Sequence, residues 1–318
     1  MKSIAVCIIT CNTRDLLREC LRSVLMENPD EIVVVDNAST DGSVDMLKAE
    51  FPSVALVTLE KNIGFGAASN RGIQRCRSEH IYLINADTRV KSGSVQALNR
   101  YLEFHPEAAM VGPRMLNPDG TLQTSCFYYP TPLHVFLYIS GSYKLIPHLP
   151  LLKKRSLQKV ASDESMAVPW IHGAALAFRR DQIQSVGGFD ENFFLYFEEV
   201  DLCYRLTLQG QQMHFMPEAE IIHVGGGTTV QRRAWFYIEF FASLAQFYRK
   251  HYSTLLLTEL VFIVKLVSFF KLARDTMLKP FVRDAAKRSM LEVNLDIHRS
   301  LLFGPWHRRS NAGTVVPA

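Results

Sequence analysis

The first third of the chain alternates short apolar runs with stretches of helical periodicity. Five apolar runs predict strands at residues 4–9, 32–35, 54–59, 81–84 and 109–111. Between them, apolar residues recur every three to four positions, as in the helix that Thr13 can cap. Repeated strand–helix units with short connections favour a parallel sheet with right-handed crossovers. We therefore predict an α/β fold with a doubly wound, mostly parallel, Rossmann-like sheet.

The pattern changes after residue 112. Residues 113–168 are rich in proline and contain the basic run Lys153-Lys154-Arg155, which is typical of loops. Regular structure resumes at Trp170. A helix and two short strands are then predicted at residues 198–208, 213–216 and 221–224. From residue 234 onward the pattern is helical, and the last few residues are expected to be disordered.

Composition and charge narrow the class of protein. With 48% hydrophobic and 21% charged residues, the chain can bury a sizeable core. The formal net charge is +4, yet residues 265–318 contain ten Lys or Arg and four Asp or Glu. A basic end beside a near-neutral body indicates an anionic surface as partner. We favour membrane lipid over nucleic acid, because this region has no interleaved aromatic platform.

The most apolar part of the basic end is residues 255–270. Glu259 and Lys265 interrupt it, so no uncharged run approaches the ~20 residues that span a membrane. Our expectation is a buried helix, and the alternative is an interfacial helix that contacts a membrane surface. The alternative gains support from four basic residues beyond this stretch: Lys271, Arg274, Lys279 and Arg283.

The six cysteines form no CxxC pair and no dense framework. Free cysteines in apolar patterns behave as small hydrophobic residues, which fits a reducing compartment. The N-terminus enters a predicted strand at once, without a signal-peptide pattern. We expect a cytoplasmic protein, with peripheral contact at the inner face of the cell membrane as the alternative.

Asn85-Ala86-Asp87 follows the fourth predicted strand. In an open α/β sheet, ligands bind beyond the carboxyl ends of the strands. A carboxylate there is a hard oxygen ligand that suits Mg²⁺ or Mn²⁺, and such ions also bind substrate phosphates. The alternative for Asp87 is a simple helix or turn cap.

Asp36 ends the second predicted strand. Its carboxylate can accept the N3–H of a uracil or thymine ring in a charge-assisted hydrogen bond. Thr10-Cys11-Asn12 ends the neighbouring first strand, and its backbone can line the same base pocket. The following Asp41 and Ser43 are expected to form a turn and a helix cap instead.

A glycine-containing loop follows the third predicted strand, from Asn62 through Gly64 and Gly66 to Asn70. Glycines at a helix start let the backbone approach a phosphate closely. The loop contains neither GxGxxG nor GxxxxGK[ST], which excludes a dinucleotide-binding or Walker motif. The alternative is a tight turn with close helix–sheet packing.

Three acidic residues, Glu198, Glu199 and Asp201, crowd the start of the helix predicted at 198–208. Adjacent carboxylates beside aromatic residues suit a general base, whereas negative charge at a helix start is also stabilising by itself. Asp201 and Arg205 have the i,i+4 spacing of a simple ion pair.

Two histidines lie near glycines. His223 precedes a run of glycine and threonine that can wrap a diphosphate, and a metal or phosphate role competes with a structural one. His172 is expected to be a packed or acceptor-side residue.

These segments, in their order and spacing, resemble the family-2 glycosyltransferases of GT-A fold, and most closely the bacterial rhamnosyltransferase-like branch. The resemblance covers about residues 3–230. The matching segments are residues 8–12, 35–43, 62–70, 85–87, 188–191 and 198–202. It implies transfer of a sugar from a nucleotide diphosphate, with inversion at the anomeric carbon.

The resemblance also implies residue roles. Asp36 then binds the base, and Asp87 binds the metal, with His223 on the metal or diphosphate. Glu199 takes the place of the family's basic Asp, beside Glu198 and Asp201. Asn85 replaces the first acid of a full Asp-x-Asp, which leaves Asp87 as the carboxylate ligand. The expected nucleotide-sugar ligands are Thr10, Asn12, Asp36, Asn62, Gly64, Gly66, Asn70 and Asn85.

On this basis residues 1–230 are predicted to form the GT-A domain, with a nucleotide-binding half at 1–112 and an acceptor or catalytic half at 113–230. Residues 231–318 form a helical, basic extension. The expected donor is dTDP-rhamnose or a UDP-sugar, and the expected acceptor is a glycan or a polyprenyl-linked glycan of the cell surface. The alternatives are a catalytically inactive sugar-nucleotide-binding or scaffold protein, and a nucleotidyltransferase, which would release pyrophosphate.

Overall fold

The computed structural model describes residues 2–142, 163–225 and 230–304. The predictions for Lys153-Lys154-Arg155, for the glycine and threonine run after Gly225 and for the last residues lie outside these ranges. The described chain forms two compact units. The first comprises residues 2–129, 163–194 and 198–225, and the second comprises residues 130–142, 195–197 and 230–304.

The first unit contains all the described strands and six helices. The strands are β1 Ile4–Thr10, β2 Glu31–Asp36, β3 Ala55–Thr58, β4 His80–Asn85, β5 Thr88–Val90, β6 Ala108–Leu116, β7 Leu122–Gln123, β8 Cys126–Phe127, β9 Met166–Val168, β10 Trp170–Ile171, β11 Ala175–Arg179 and β12 Gln212–His223. The helices are α1 Arg14–Met26, α2 Ser43–Glu50, α3 Phe65–Arg75, α4 Ser94–Phe104, α6 Arg180–Ser185 and α7 Glu198–Leu208.

One mixed sheet organises this unit. Within the described residues its strand order is β3-β2-β1-β4-β11-β6-β12-β5, with β7 added to β6 and β9 to β12. Strands β3, β2, β1 and β4 are parallel, as the sequence predicts. The prediction that residues 109–111 continue this parallel set is wrong in one respect. Antiparallel β11 lies between β4 and β6, because the chain returns to the sheet after residue 170.

Burial on both faces explains why β1 reads as an uninterrupted apolar run, since all seven of its residues are buried. Alternate residues face opposite layers. Ile4 and Ile8 join a core that includes Leu17 and Leu21 of α1. Ala5 and Cys7 join a second core that includes Ile73 of α3.

The predicted elements mostly match. Helix α7 begins and ends where predicted, whereas α3 begins at Phe65 rather than at residue 67. The two strands predicted at 213–216 and 221–224 are one twelve-residue strand, β12. Its pairing with β6 shifts register between Met216 and Glu220, beside Pro217, which has no N–H to donate. This irregularity hides the continuity of the strand from the sequence pattern.

The second unit is helical. Its helices are α5 Pro132–Ser140, α8 Val230–His251, α9 Thr254–Leu278 and α10 Ala285–Phe303, with a 3₁₀ turn at Lys279–Phe281. Buried apolar residues such as Leu260 and Val264 of α9 and Leu295 of α10 form its interior. The predicted division at residue 230 stays a prediction, but the structure adds α5 to the helical unit rather than to the acceptor half. No described helix is both long enough and apolar enough to cross a membrane.

Candidate active site

Asp87 and His223 meet at the edge of the sheet. Asp87 lies in the turn between β4 and β5, and β5 pairs antiparallel with the end of β12, with Thr88 opposite His223. The N–H of Val224 donates to the carbonyl of Asp87 at 3.0 Å. As a result His223 Nε2 lies 3.4 Å from Asp87 Oδ1. The structure thus brings together the two residues predicted to bind the metal.

A glutamine orients the His223 ring. His223 Nδ1 lies 2.8 Å from Gln123 Oε1, and Gln123 Nε2 donates to Asn117 Oδ1 at 3.1 Å. Because an amide oxygen only accepts, Nδ1 carries the hydrogen, and Nε2 of the neutral ring is left to accept. Metal-binding histidines commonly donate their second nitrogen in this way. No local sequence pattern singles out Gln123, which lies in the two-residue strand β7.

Asp87 and His223 suit a divalent cation whose remaining coordination positions are filled by water and by the substrate. Among the described residues, no group of three or more His, Cys, Asp or Glu side chains is arranged to hold a metal. Asp87 and His223 therefore offer one carboxylate and one imidazole. Mg²⁺ and Mn²⁺ commonly bind through one or two protein carboxylates and fill their remaining positions with water and substrate phosphates. One carboxylate and one imidazole suit such an ion, and Mn²⁺ accepts an imidazole ligand more readily than Mg²⁺ does.

Glu199 is a buried carboxylate in the first turn of α7. Its Oε1 accepts the N–H of Gly173 at 3.3 Å, and its Oε2 has no hydrogen-bond partner among the described residues. Burial raises the pKa of Glu199, and backbone N–H groups, including those of Gly173 and Val200, oppose the rise only in part. A carboxylate with a raised pKa and one open oxygen is suited to accept a proton. Glu198 beside it is also buried.

The segment 172–174 connects the two centres. The N–H of Asn85 donates to the carbonyl of Ala174 at 3.0 Å, while Gly173 donates to Glu199. The ring centroids of His172 and His223 are 5.8 Å apart. Since β11 starts next to the end of β4, this segment borders both the Asp87 turn and the Glu199 carboxylate. The acidic residues predicted from distant parts of the sequence therefore converge within one compact unit.

His172 is neutral at this position. Its Nδ1 accepts the N–H of Ala174 at 3.1 Å, which places the ring hydrogen on Nε2. Burial, followed by the nearby His223, lowers the pKa of His172 to about 4. The sequence analysis assigned His172 a packed or acceptor-side place, and the structure puts it between the two acidic centres.

Asp36 has one buried carboxylate oxygen that accepts no hydrogen bond from the described residues. Its Oδ2 accepts the N–H of Ser39 at 3.0 Å, whereas buried Oδ1 has no partner within the described ranges. Buried polar atoms normally have a hydrogen-bond partner, so Oδ1 suits an N–H that a ligand supplies. Thr10 lies opposite Asp36 in the pairing of β1 with β2. Asp41 Oδ1 accepts the N–H of Ser43 at 3.0 Å, as expected for a turn, but the N-cap of α2 is Gly42 without a side-chain cap hydrogen bond, so the predicted helix cap is wrong.

Three of the predicted asparagine ligands use their side chains in hydrogen bonds within the protein. Asn12 Oδ1 accepts the N–H of Thr40 at 2.7 Å. Asn62 Oδ1 accepts the N–H of Gly64 at 3.0 Å. Asn70 exchanges two hydrogen bonds of 2.9 Å with the backbone of Phe189. By contrast, Asn85 Oδ1 is buried without a partner in the part of the chain that the structure describes. Their contact with a nucleotide sugar stays a prediction.

The glycine loop packs closely against the segment that leads into α7. Gly64 has φ +90°, and a Cβ there would lie 2.4 Å from the carbonyl oxygen of Phe194. A Cβ on Gly66 would lie 3.2 Å from Cβ of Glu198. These distances support the packing interpretation of both glycines. Binding of phosphate by the same loop stays a prediction.

Asp201 forms an ion pair. Its Oδ2 lies 2.7 Å from Nε of Arg205, and the carboxylate is fully buried. The same guanidinium donates to the carbonyls of Val186 and Gly188, at 2.5 and 2.7 Å. Asp201 therefore fixes the loop before Phe189, and we do not include it in the proposed catalytic group.

With this geometry in place, comparison with known proteins identifies the class. Residues 5–144 match the model of the family described as Glycosyl transferase family 2, and residues 152–288 match the model of Glycosyl transferase family group 2. The chain belongs to family 2 of the glycosyltransferases, and its fold is that of the GT-A enzymes.

The similar proteins indicate which branch of family 2 this chain resembles. An N-acetylglucosaminyl-diphospho-decaprenol L-rhamnosyltransferase of Mycobacterium tuberculosis is 30% identical over 213 residues, which cover 63% of this chain and 68% of the relative. The dTDP-rhamnosyl transferase RfbF of Shigella flexneri is 23% identical and covers 70% of each chain. The chain is thus similar to the rhamnosyltransferases of its family.

Two solved structures share the fold. The mannosyltransferase PcManGT from Pyrobaculum calidifontis, in complex with GDP-Man and Mn²⁺, superposes with a TM-score of 0.54 at 16% identity and covers 95% of this chain and 87% of its own. GalNAc-T7 with UDP, GalNAc and Mn²⁺ gives a TM-score of 0.57 at 14% identity, and the match spans 92% of this chain and 54% of that one.

Proposed function

We propose that this glycosyltransferase moves a sugar from a nucleotide diphosphate to a hydroxyl of a lipid-linked glycan, with inversion, in cell-surface polysaccharide synthesis. A dTDP-linked deoxysugar such as rhamnose is the preferred donor, and a UDP-sugar is the second choice. The relatives support this, since one acts on a decaprenol-linked acceptor and another uses dTDP-rhamnose by name. The observation that carries the proposal is the convergence of Asp87, His223 and Glu199 on the segment 172–174.

The donor end of the proposed site uses Asp36, Asp87 and His223. The open Oδ1 of Asp36 accepts the N3–H of a pyrimidine base. Asp87 and His223 would hold Mg²⁺ or Mn²⁺, which when bound supplies Lewis-acid neutralisation of the diphosphate leaving group. Gln123 keeps the accepting nitrogen of His223 directed at this position. Neutral His172, with its hydrogen on Nε2, can donate to an oxygen of the substrate.

Glu199 performs the proton transfer. Its open Oε2 takes the proton of the acceptor hydroxyl while that oxygen attacks the anomeric carbon. The new carbon–oxygen bond forms as the bond to the diphosphate oxygen breaks, so the attack comes from the face opposite the leaving group and inverts the anomeric configuration. Gly173 holds Oε1 of Glu199 and thereby leaves Oε2 directed to the acceptor.

A donor screen tests the proposal. Purified protein is incubated with dTDP-rhamnose, UDP-glucose, UDP-GlcNAc or GDP-mannose, with a polyprenyl-diphosphate-linked GlcNAc acceptor and with Mn²⁺ or EDTA. We expect release of a nucleoside diphosphate that depends on both acceptor and metal, and a product of inverted anomeric configuration by NMR. Release of pyrophosphate would show a nucleotidyltransferase instead. Binding of the donor panel without any turnover would show an inactive sugar-nucleotide-binding protein.

A further inference from the structure

Helix α9 has two apolar faces, and only one of them is buried. Leu260, Val264 and Val267 point into the helical unit and are buried. Seven large apolar residues elsewhere on the same helix are 41% to 77% exposed; Leu278 is one of them, and the other six lie on one side of the helix. We call these six the apolar stripe: Leu255, Leu266, Met277, Phe262, Phe269 and Phe270. Folding of the helical unit alone therefore leaves a long apolar surface in water.

The stripe lies on one side of the helix, which the exposed Glu259 interrupts near the N-terminal end. Leu255, Phe262 and Phe269 are spaced by seven residues, and Phe262, Leu266 and Phe270 by four, so they lie along one side of the helix. Leu255 and Met277 are 22 residues apart, or about 33 Å along the axis at 1.5 Å per residue. Phe281, in the 3₁₀ turn that follows, is also exposed. Proteins that work as free monomers rarely expose an apolar patch of this size, and such patches mark partner or membrane sites.

Basic residues accompany the stripe. Lys265, Arg274 and Arg283 are exposed, although Arg274 is already paired with Asp275 at 2.6 Å. Residues 265–304 contain eight Lys or Arg and four Asp or Glu. Glu259 is the one exposed acid within α9, near its N-terminal end. An apolar helix face with cations beside it matches the surface of a bilayer that contains anionic lipids. The alternative occupant is a second copy of the chain, but a symmetric contact would bring the same cations of both copies together.

We propose that α9 is an interfacial helix that docks the protein on an anionic membrane surface, with the apolar stripe at the level of the upper acyl chains and the basic residues at the phosphates. The inference deepens the proposed function, because a lipid-linked acceptor would be presented at that surface. It rests on different residues, however, and it is tested without donor or acceptor.

The experiment measures binding of the full chain to vesicles by co-sedimentation. Vesicles of phosphatidylglycerol and phosphatidylethanolamine are compared with vesicles of phosphatidylcholine. The stripe variant is Phe262→Ser/Phe269→Ser/Phe270→Ser, and the charge variant is Lys265→Gln/Arg283→Gln. The control is Phe104→Ser, which removes a phenylalanine that is even more exposed from α4 in the other unit. Circular dichroism confirms that each variant is folded.

We expect the wild type and the Phe104→Ser control to bind the anionic vesicles alike. The stripe variant should bind at least tenfold more weakly. The charge variant should bind more weakly than the wild type at low salt and should lose less of its binding as salt is raised, because it has fewer cations for salt to screen. Failure of the wild type to bind anionic vesicles, or unchanged binding by the stripe variant, overturns the proposal. The proposal is also overturned if the wild type is a dimer in solution, the stripe variant is a monomer, and neither protein binds vesicles. None of these results depends on transfer activity, so failure of the proposed function would be seen separately.

Discussion

His223 Nε2 faces Asp87 Oδ1 across 3.4 Å, where the short strand β5 pairs with the end of β12. Neither residue could reach the other without that pairing, because they are far apart in sequence. The hydrogen bond from His223 Nδ1 to Gln123 sets the ring so that the accepting nitrogen points to the carboxylate.

The role of Gln123 leads to the first prediction. Gln123→Ala removes the acceptor for His223 Nδ1, so the ring loses its fixed orientation and tautomer. We expect Mn²⁺ affinity in the presence of a nucleoside diphosphate to fall by roughly 10- to 100-fold, as for other residues behind metal ligands. Asp87→Ala should weaken it further. Isothermal titration with Mn²⁺ measures both, and equal affinity in all three proteins would refute the metal assignment.

The second prediction concerns Glu199 as the base. Glu199→Gln keeps the shape but cannot take a proton, so kcat should fall by about 10² to 10⁴. Glu199→Asp keeps the carboxylate on a shorter chain and should retain more activity than the Gln variant. Donor binding should be unchanged in both, which titration with the nucleotide sugar measures. If Glu198→Gln is the inactive variant and Glu199→Gln is active, the two assignments are exchanged.

Burial of Glu199 gives a pH dependence of activity. The base must be ionised, and its pKa in the fold is raised above the ordinary value of 4.5. The acid limb of kcat/KM against pH should therefore lie above pH 4.5, with activity rising as pH rises through the raised pKa. His172, with its pKa near 4, stays neutral over that range. An acid limb at or below pH 4.5 would contradict the assignment.

The same raised pKa has a consequence for stability. The folded state binds the Glu199 proton more tightly than the unfolded state, so the wild type loses stability as pH rises through the folded pKa. Glu199→Gln removes the buried charge and should lose less stability over that window. Thermal unfolding of both proteins from pH 4 to pH 8 measures the difference, which should grow with pH in favour of the variant.

Gly173 is predicted to position the base. A Cβ at this residue would lie 3.3 Å from Glu199 Oε1, closer than ordinary contact allows, so Gly173→Ala should displace the carboxylate slightly. We expect a lower kcat, a nearly unchanged KM for the donor and a folded protein. Gly93→Ala is the contrasting variant, because a Cβ there meets nothing within 4 Å but the φ of +83° strains it. It should cost stability without a specific loss of kcat.

Asp201→Asn separates a structural acid from a catalytic one. The substitution leaves the half-buried Arg205 without its carboxylate partner, and we expect a loss of about 3 kcal/mol in the free energy of unfolding. Urea denaturation measures this. At a temperature where the variant is fully folded, kcat should stay within a few-fold of the wild type. A kcat loss as large as that of Glu199→Gln, without loss of stability, would restore Asp201 to the catalytic group.

Local patterns in the sequence predicted much of the fold. The buried parallel strands β1, β2 and β4 read as apolar runs, and α7 was located to the residue. Acids at strand ends pointed to Asp36 and Asp87, because loops at the carboxyl edge of such a sheet converge on ligands.

The features that the sequence did not predict depend mainly on the pairing of strands far apart in the chain, which leaves no local pattern. The insertion of β11 beside β4 and the pairing of β5 with β12 join residues more than ninety positions apart. His172 owes its place to the pairing of β11 with β4, and His223 reaches Asp87 through the pairing of β5 with β12, whereas Gln123 is placed by the local pairing of β7 with β6. A glutamine in a two-residue strand and a histidine before a glycine carry no periodic signal, so a single sequence could not assign them.

The direction of β11 determines which connections can reshape the acceptor side. Because β11 runs opposite to β4, the residues that precede Ala175 arrive at the edge where Asp87 lies, whereas those that follow Arg179 leave from the far edge. An insertion just before His172 would therefore add residues to the wall of the candidate active site beside the reacting atoms. The same insertion after Arg179 would emerge remote from them, so redesign of acceptor choice should begin upstream of this strand.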